Sequence, residues 1–355
     1  MPPDFVQCTL ALLPNPSDEG ALVPRTDHSN PPTVQVVIPN WNGCHLLGPC
    51  LESLGQQTYR DFQVVVVDNG STDGSRSFLA GHYPEVRSIL NNVNRGFSPA
   101  VNQGIRATES DLVVILNNDT VVDREWLASL VAAASANPDV GMFACKLVLA
   151  KPPGMLDSAG ISVDRLGFAW DRLGGTAVGE ADEQCLEVFG PSGGAALYRR
   201  RMLEEVGLFD EEFFAYLEDV DLAWRARTYG WRCLYVPQAK VIHHHSATAR
   251  EGSPFKSYQL GRNKVWLLVK NYPVRRLWYY IPLVLLYDLA AVVYGVVRRG
   301  DVNALRGRLD GLLQSAPMVR KRQIAPELSR ADLEYLEPVR WPWQIRKDLA
   351  YLDRL

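Results

Sequence analysis

Short β-branched runs that alternate with helix-length segments constrain this chain more than any other feature. The runs are Val34–Ile38 (VQVVI), Val64–Val67 (VVVV), Val86–Leu90, Leu112–Leu116 (LVVIL) and Val140–Cys145. Between them lie helical stretches at Leu46–Gln57, Ser71–Ala80, Pro99–Ala107 and Arg124–Ala136. Apolar runs without polar alternation are buried on both faces. Strands alternating with helices of this length build βαβ units. Residues 33–145 therefore predict half of an open, mainly parallel α/β sheet.

The rhythm breaks after residue 145. Residues 150–190 are rich in Gly and Asp, and an apolar piece at Ala195–Tyr198 and a helix at Arg200–Val206 follow. The acidic stretch FDEEFFAYLEDVD leads into a helix from Asp219 to Tyr229, stopped by Gly230. Strand-like CLYV (233–236) and KVIH (240–243) come next. This part predicts a mixed-sheet half that completes the same domain. Residues 1–32 carry seven prolines, and their only apolar run, Leu10–Leu13, has no Lys or Arg before it. That is a poor signal peptide and predicts a flexible arm. The organisation expected is an arm (1–32), an α/β domain (33–255) and a helical region (256–355).

A net charge of −3 argues against a nucleic-acid partner. Six cysteines without a CxxC pair indicate neither a zinc ribbon nor a disulfide scaffold, and predict a reduced, cytoplasmic chain. The charge is unevenly spread. Lys256–Arg322 holds thirteen Lys/Arg against three Asp/Glu, a local +10 that predicts an anionic neighbour. Inside that block, residues 277–297 are apolar except for Asp288, with Pro282 within and arginines on both flanks. At about 1.5 Å per residue the segment matches a bilayer core of about 30 Å. A buried core helix is the alternative. Asp288 and Pro282 favour a helix lying on the inner leaflet over one that spans it.

In open α/β sheets ligands bind beyond the carboxyl ends of the strands. Here those ends carry Pro39-Asn40, Asp68, Asn94-Arg95-Gly96 and Asn117-Asn118-Asp119. Asp68 can accept a hydrogen bond from the N3–H of a uracil or thymine ring, or close an Asx turn with Asn69-Gly70. Asp119 is the metal candidate, because Mg²⁺ or Mn²⁺ on a diphosphate favours carboxylate oxygen; a turn or helix cap is its alternative. Glu218-Asp219-x-Asp221 opens a helix. The acids there suit the helix dipole, or serve with Asp219 as general base and Glu218 and Asp221 in support. His243-His244-His245 ends a strand, so at most two of the three face one site. Neither GxGxxG nor a P-loop stands in the first turns.

The ordered set PNWNG (39–43), VVVDNGSTDGS (65–75), NRGFSPAVNQGI (94–105), LNND (116–119), GGA (193–195), FFAYLEDVDLAWRARTYG (213–230) and VIHHHS (241–246) resembles the family 2 glycosyltransferases of the GT-A fold, in their bacterial rhamnosyltransferase-like branch. The resemblance spans roughly 33–272. It implies a GT-A type open, mainly parallel nucleotide-binding sheet with a mixed acceptor half, followed by C-terminal helices. It implies Asp68 at the nucleotide base, with Pro39, Asn40, Asn94, Gly96, Asn102 and Asn118 lining the donor site. Asp119 would be the surviving acid of the DxD motif, on Mg²⁺ or Mn²⁺. Asp219 would be the base, and His243, with His245 second, an added metal ligand. The expected reaction is inverting transfer of one sugar, rhamnose by the resemblance, from a UDP- or dTDP-linked donor to a glycan or lipid-linked acceptor. The motif here reads Asn-Asn-Asp, one carboxylate short, and Gln259 to Arg262 is followed by Asn263, where processive synthases carry Trp. A non-catalytic sugar-nucleotide-binding protein on the same fold is the competing expectation, and Asp219→Asn separates the two. A segment near 247–257 is expected to serve as a lid.

Overall fold

The computed structural model describes residues 32–179, 183–244, 253–322, 335–341, 343–345 and 351–352. The arm, His245 and most of the expected lid lie outside the described residues.

Strands β1 (Val34–Asn40), β2 (Phe62–Asn69), β3 (Arg87–Asn91) and β4 (Leu112–Leu116) run parallel in the order β4-β1-β2-β3. Helices α1 (Cys44–Gly55), α2 (Ser75–His82) and α3 (Phe97–Ile105) make the crossovers. Alternate strand residues feed opposite faces, as the pleat requires. Val37, Val65, Val67, Val113 and Ile115 enter one core, and Val36, Ile38, Val66, Val114 and Leu116 the other. The uninterrupted apolar runs are thus explained by a sheet covered on both sides.

Strand β6 (Val140–Leu149) does not join β4 directly. Strand β11 (Ala195–Arg199) lies between them and is antiparallel to both. The strand-like pieces at 233–236 and 240–243 form one strand, β12 (Arg232–His243), parallel to β6. Its register shifts between Val236 and Lys240, around Pro237, which has no N–H to offer a ladder. Short β5 (Thr120–Val122) pairs with the end of β12 and brings His243 opposite Thr120. Short β7 (Leu156–Ser158) pairs with β6, and Leu147 faces Ser158; β8 (Ile161–Val163) and β9 (Ala169–Asp171) form a separate two-stranded sheet, and β10 (Leu186–Glu187) pairs with β12.

Helix α4 (Trp126–Ala136) follows β5, and α5 (Arg200–Val206) and α6 (Glu218–Thr228) precede β12. Helix α7 (Pro254–Asn271) starts with Ser253 as N-cap and Pro254 in its first turn. Its Trp266, Leu267 and Leu268 belong to the same core as β1 and β6, so the basic C-terminal region begins inside the α/β body. Helices α8 (Val274–Arg299), α9 (Asn303–Leu313) and α10 (Ala316–Arg320) complete the described chain up to Arg322. A Cβ on Gly307 of α9 would lie 2.1 Å from the Tyr258 carbonyl, so α7 and α9 cross at backbone contact.

Candidate active site

The parallel strands bring the ends of β1, β2 and β4 to one edge. There the Asn118 amide donates to Asn40 Oδ1 at 2.6 Å, and Asn40 Nδ2 donates to Asp68 Oδ2 at 3.1 Å. A Cβ on Gly43 would sit 2.1 Å from the Asn118 amide, so glycine is required where α1 begins. Asp68 is fully buried, and its Oδ1 accepts from Ser71 N and from Arg76 Nε at 2.8 Å. At this end of the sheet Asp68 is paired with Arg76, and Asn40 lies opposite it on β1, next to Pro39. Asn69 pins the neighbouring loop: its Nδ2 donates to Asn94 Oδ1 and to the Gly96 carbonyl, both at 2.9 Å. Asn102 stands apart from these groups. It is buried with its amide spent on the Phe209 carbonyl and Glu211, so it fastens α3 to the 209–211 segment instead of lining the donor site.

Asp119 follows the last residue of β4 by three positions and is buried. The β5–β12 pairing sets His243 beside it, with Nε2 3.2 Å from Asp119 Oδ1. The other ring nitrogen, Nδ1, is 2.6 Å from Asp157 Oδ2. Burial alone would lower the His243 pKa, but hydrogen bonds and charge from Asp119 and Asp157 outweigh it and push it up to about 10. Asp157, on β7, escaped sequence reasoning. It lies in a Gly/Asp-rich stretch without periodicity, and only the register of β7 on β6 carries it to the histidine.

A carboxylate that fixes one nitrogen of an imidazole while the other faces a ligand position is the usual outer support of a metal-bound histidine. Two ligands about 2.1 Å from an octahedral ion, in adjacent positions, lie about 3 Å apart. The Asp119–His243 pair has that spacing, and an ion bound there would displace the proton that now lies between His243 Nε2 and Asp119. Among the described residues no group of three His, Cys, Asp or Glu side chains gathers around one point. The remaining positions on an ion there fall to water and phosphate oxygen, as is usual for Mg²⁺.

Asp219 opens α6. Its Oδ2 accepts from Gly193 N at 2.8 Å, and its Oδ1 from Val220 N at 2.8 Å. Burial raises its pKa despite these donors. Glu218 is raised further, first by burial and then by the charge of Asp219, and its Oε2 has no hydrogen-bond partner among the described residues. Asp221 faces elsewhere. It is fully buried and bonded to Arg225 Nε (2.9 Å), Lys270 Nζ (2.9 Å) and Asn271 (2.8 Å). Burial would raise its pKa, yet the two cations hold it below the usual range. Asp221 therefore anchors α6 to α7 and does not support Asp219 from within the site.

The two acid positions meet through Gly193-Gly194. Gly193 donates to Asp219, and a Cβ on it would stand 3.2 Å from that carboxylate. The carbonyl of Gly194 accepts from Asn117 N, and a Cβ on Gly194 would stand 3.5 Å from the His243 ring. Consecutive Cα atoms are about 3.8 Å apart. Asp219 and the His243 ring, with Asp119 beside it, thus approach two consecutive residues that carry no side chains.

The sequence model for glycosyl transferase family 2 matches residues 35–207. The chain is 32% identical over 340 residues to an O-antigen biosynthesis protein (RfbC) of Myxococcus xanthus, covering 91% of this chain and 25% of that one. It is 33% identical over 226 residues to an N-acetylglucosaminyl-diphospho-decaprenol L-rhamnosyltransferase of Mycobacterium tuberculosis, covering 56% of this chain and 72% of that one. Thus it spans about a quarter of the first relative and most of the second. Among solved structures, GalNAc-T7 with UDP, GalNAc and Mn²⁺ superposes with a TM-score of 0.56 at 19% identity, over 68% of this chain and 48% of that one. That likeness is one of fold.

Proposed function

The chain belongs to glycosyl transferase family 2 and has the GT-A fold, and from that premise we propose that it moves one sugar from a nucleoside-diphosphate donor to a hydroxyl of a glycan or lipid-linked acceptor, with inversion. The observation that carries this reading is the junction at Gly193-Gly194, which borders Asp219 on one side and the Asp119–His243 pair on the other. One-step displacement needs a base on the acceptor side and charge stabilisation on the leaving-group side. Asp219 is placed for the first, and a divalent cation held by Asp119 and His243 would supply the second.

In the proposed mechanism the donor nucleoside lies over the ends of β1 and β2, against Pro39, Asn40 and the Asp68–Arg76 pair. The Asn94–Gly96 loop, held by Asn69, and Asn118 border the same space. Asp219 takes the proton of the attacking hydroxyl. Burial helps it there, because a carboxylate with a raised pKa is a stronger base. Glu218, pushed up by burial and by the charge of Asp219, favours its neutral form and so limits the negative charge beside the acceptor. Asp119 and His243 would hold Mg²⁺ or Mn²⁺, which would neutralise charge on the departing diphosphate. Asp157 fixes the ring that faces that ion.

The rhamnosyltransferase relative supports rhamnose and a lipid-linked acceptor, with UDP and dTDP both open as carrier. We place the chain on the cytoplasmic face of the membrane through α8. Trp278–Arg298 is long and apolar enough to cross a bilayer by length and composition, yet only 11% of its most apolar window is buried in the protein. Its one acid, Asp288, turns inward to Lys264 (2.7 Å) and Arg308 (3.1 Å). Trp278, Tyr279, Leu285, Leu289 and Val297 stay exposed on the outside. A helix bound to protein on its charged side and bare on its apolar side suits a surface-embedded position.

The test is a screen of UDP- and dTDP-sugars for nucleoside diphosphate release, with Mg²⁺ or Mn²⁺, with and without a polyprenyl-diphosphate-linked N-acetylglucosamine. Acceptor-dependent release from one donor is expected. No release from any donor, with the folded chain and lipid acceptor present, overturns the reading.

A further inference from the structure

The backbone that delivers Asp219 is strained. Phe214 has φ 62° and ψ −63°, and Ala215 N donates to the Phe213 carbonyl at 2.7 Å. This is a γ-turn of the positive-φ hand, the rare and strained form. Tyr216 (φ 71°) and Leu217 (φ 65°) then adopt left-handed conformations without being glycine. Such conformations are costly for residues other than glycine and persist only where the surroundings enforce them. Glu218 and Asp219 follow at once.

The enforcing group is on α7. Asn263 is fully buried, and its Nδ2 lies 3.0 Å from the Phe213 carbonyl, 2.9 Å from that of Ala215 and 2.7 Å from that of Tyr216. Its Oδ1 accepts from Arg262 Nε at 3.0 Å, which fixes the amide so that its N–H groups face the loop. Arg262 Nη2 also donates to the Phe213 carbonyl at 3.0 Å. On the far side the Phe214 carbonyl accepts from Phe97 N at 2.6 Å, where α3 begins, and a Cβ on Gly96 would strike the Phe214 ring at 2.7 Å. The loop is therefore fixed between α7 and the donor-side loop.

We infer that Asn263 is a positioning residue for catalysis: its amide holds the Phe214–Leu217 backbone in the strained form that aims Asp219 at the acceptor hydroxyl. This rests on the assignment of Asp219 as base. The amide offers two N–H donors to three converging carbonyls, whereas a carboxylate or a methyl at this position donates to none of them.

The experiment compares the parent, Asn263→Ala, Asn263→Ser, Asn263→Ala/Leu217→Gly and Asp219→Asn, full length, with dTDP-L-rhamnose as donor and polyprenyl-diphosphate-linked N-acetylglucosamine as acceptor. Turnover, donor KM, dTDP affinity and amide exchange over 214–221 are measured. The expected result for Asn263→Ala is a kcat at least tenfold lower, with donor KM and dTDP affinity within threefold and exchange over 214–221 at least tenfold faster. Glycine tolerates the left-handed region, so Leu217→Gly restores at least threefold of the lost kcat. A kcat within twofold of the parent, or a parallel loss of kcat and dTDP affinity with no recovery in the double variant, overturns the proposal. If Asn263→Ala does not fold, Asn263→Ser is read by the same criteria. Asp219→Asn separates the two claims: if it keeps turnover the base assignment fails, and if it alone loses turnover only the role of Asn263 fails.

Discussion

Two neighbouring carboxylates on α6 should respond in opposite ways to the same chemical change. Asp219→Asn keeps one carbonyl oxygen to accept a backbone N–H but turns an amide toward the other donor, Gly193 or Val220. Leaving that N–H unpaired costs about 1–3 kcal/mol. Against this, burial already disfavours the charged form of Asp219, so a neutral side chain relieves part of that penalty. The net change in stability should lie within about 2 kcal/mol, while loss of a general base lowers the rate by about 10²–10⁴. Asp221→Asn removes the charge that faces Arg225 and Lys270 in a fully buried site. Breaking a buried pair from one side costs about 3–5 kcal/mol. Urea unfolding and saturating turnover on both variants test the contrast. If Asp219→Asn turns over within tenfold of the parent while folded, Asp219 is not the base and another group takes the proton. If Asp221→Asn loses two decades of rate without loss of stability, Asp221 acts in the site and the account of α6 fails.

Lys270→Met leaves Asp210 and Asp221 facing each other with less cationic charge, since Lys270 Nζ bonds both at 2.7 and 2.9 Å. Both carboxyls are held below their usual range, so their stabilising contribution is present above about pH 4 and is lost as pH falls through their folded values. Lys270→Met should cost about 3–5 kcal/mol at pH 7, and the deficit should hold to about pH 5 and shrink only as the pH falls below about 4; urea unfolding across that range checks the sign. Asp119→Asn should abolish the dependence of nucleoside diphosphate affinity on Mn²⁺ while metal-free affinity stays within threefold, read by calorimetry with and without EDTA. Leu285→Glu/Leu289→Glu should abolish flotation with anionic phosphatidylglycerol vesicles and leave turnover of a water-soluble acceptor intact; unchanged flotation refutes contact through that face of α8.

Much of the donor half was legible because its signals are local. The runs at 34–38, 64–67 and 112–116 lie within strands β1, β2 and β4, and their polar ends at Asn40, Asp68 and Asn118 form one hydrogen-bonded chain. The acceptor half was less legible because its key relations are between strands. Asp157 reaches His243 only through two separate pairings onto β6. Asp221 looks like a partner of Asp219 in sequence, yet two residues of helix, about 200° of rotation, turn it toward Lys270 and Asn271. Asn102 reads as a donor contact from its motif, and only the packing of 209–211 on α3 reveals what it holds. Asn263 reads as a mismatch to the Trp of processive synthases; the strained loop it faces has no counterpart in composition or periodicity.

The antiparallel insertion of β11 also fixes an order of assembly. β4 and β6 have no ladder with each other, and each takes β11 as its neighbour. During synthesis both strands leave the ribosome well before residue 195, so each keeps an open border until β11 arrives. An expression fragment that stops after Leu149 would keep those borders for good, and strand-to-strand self-association would be its expected fate.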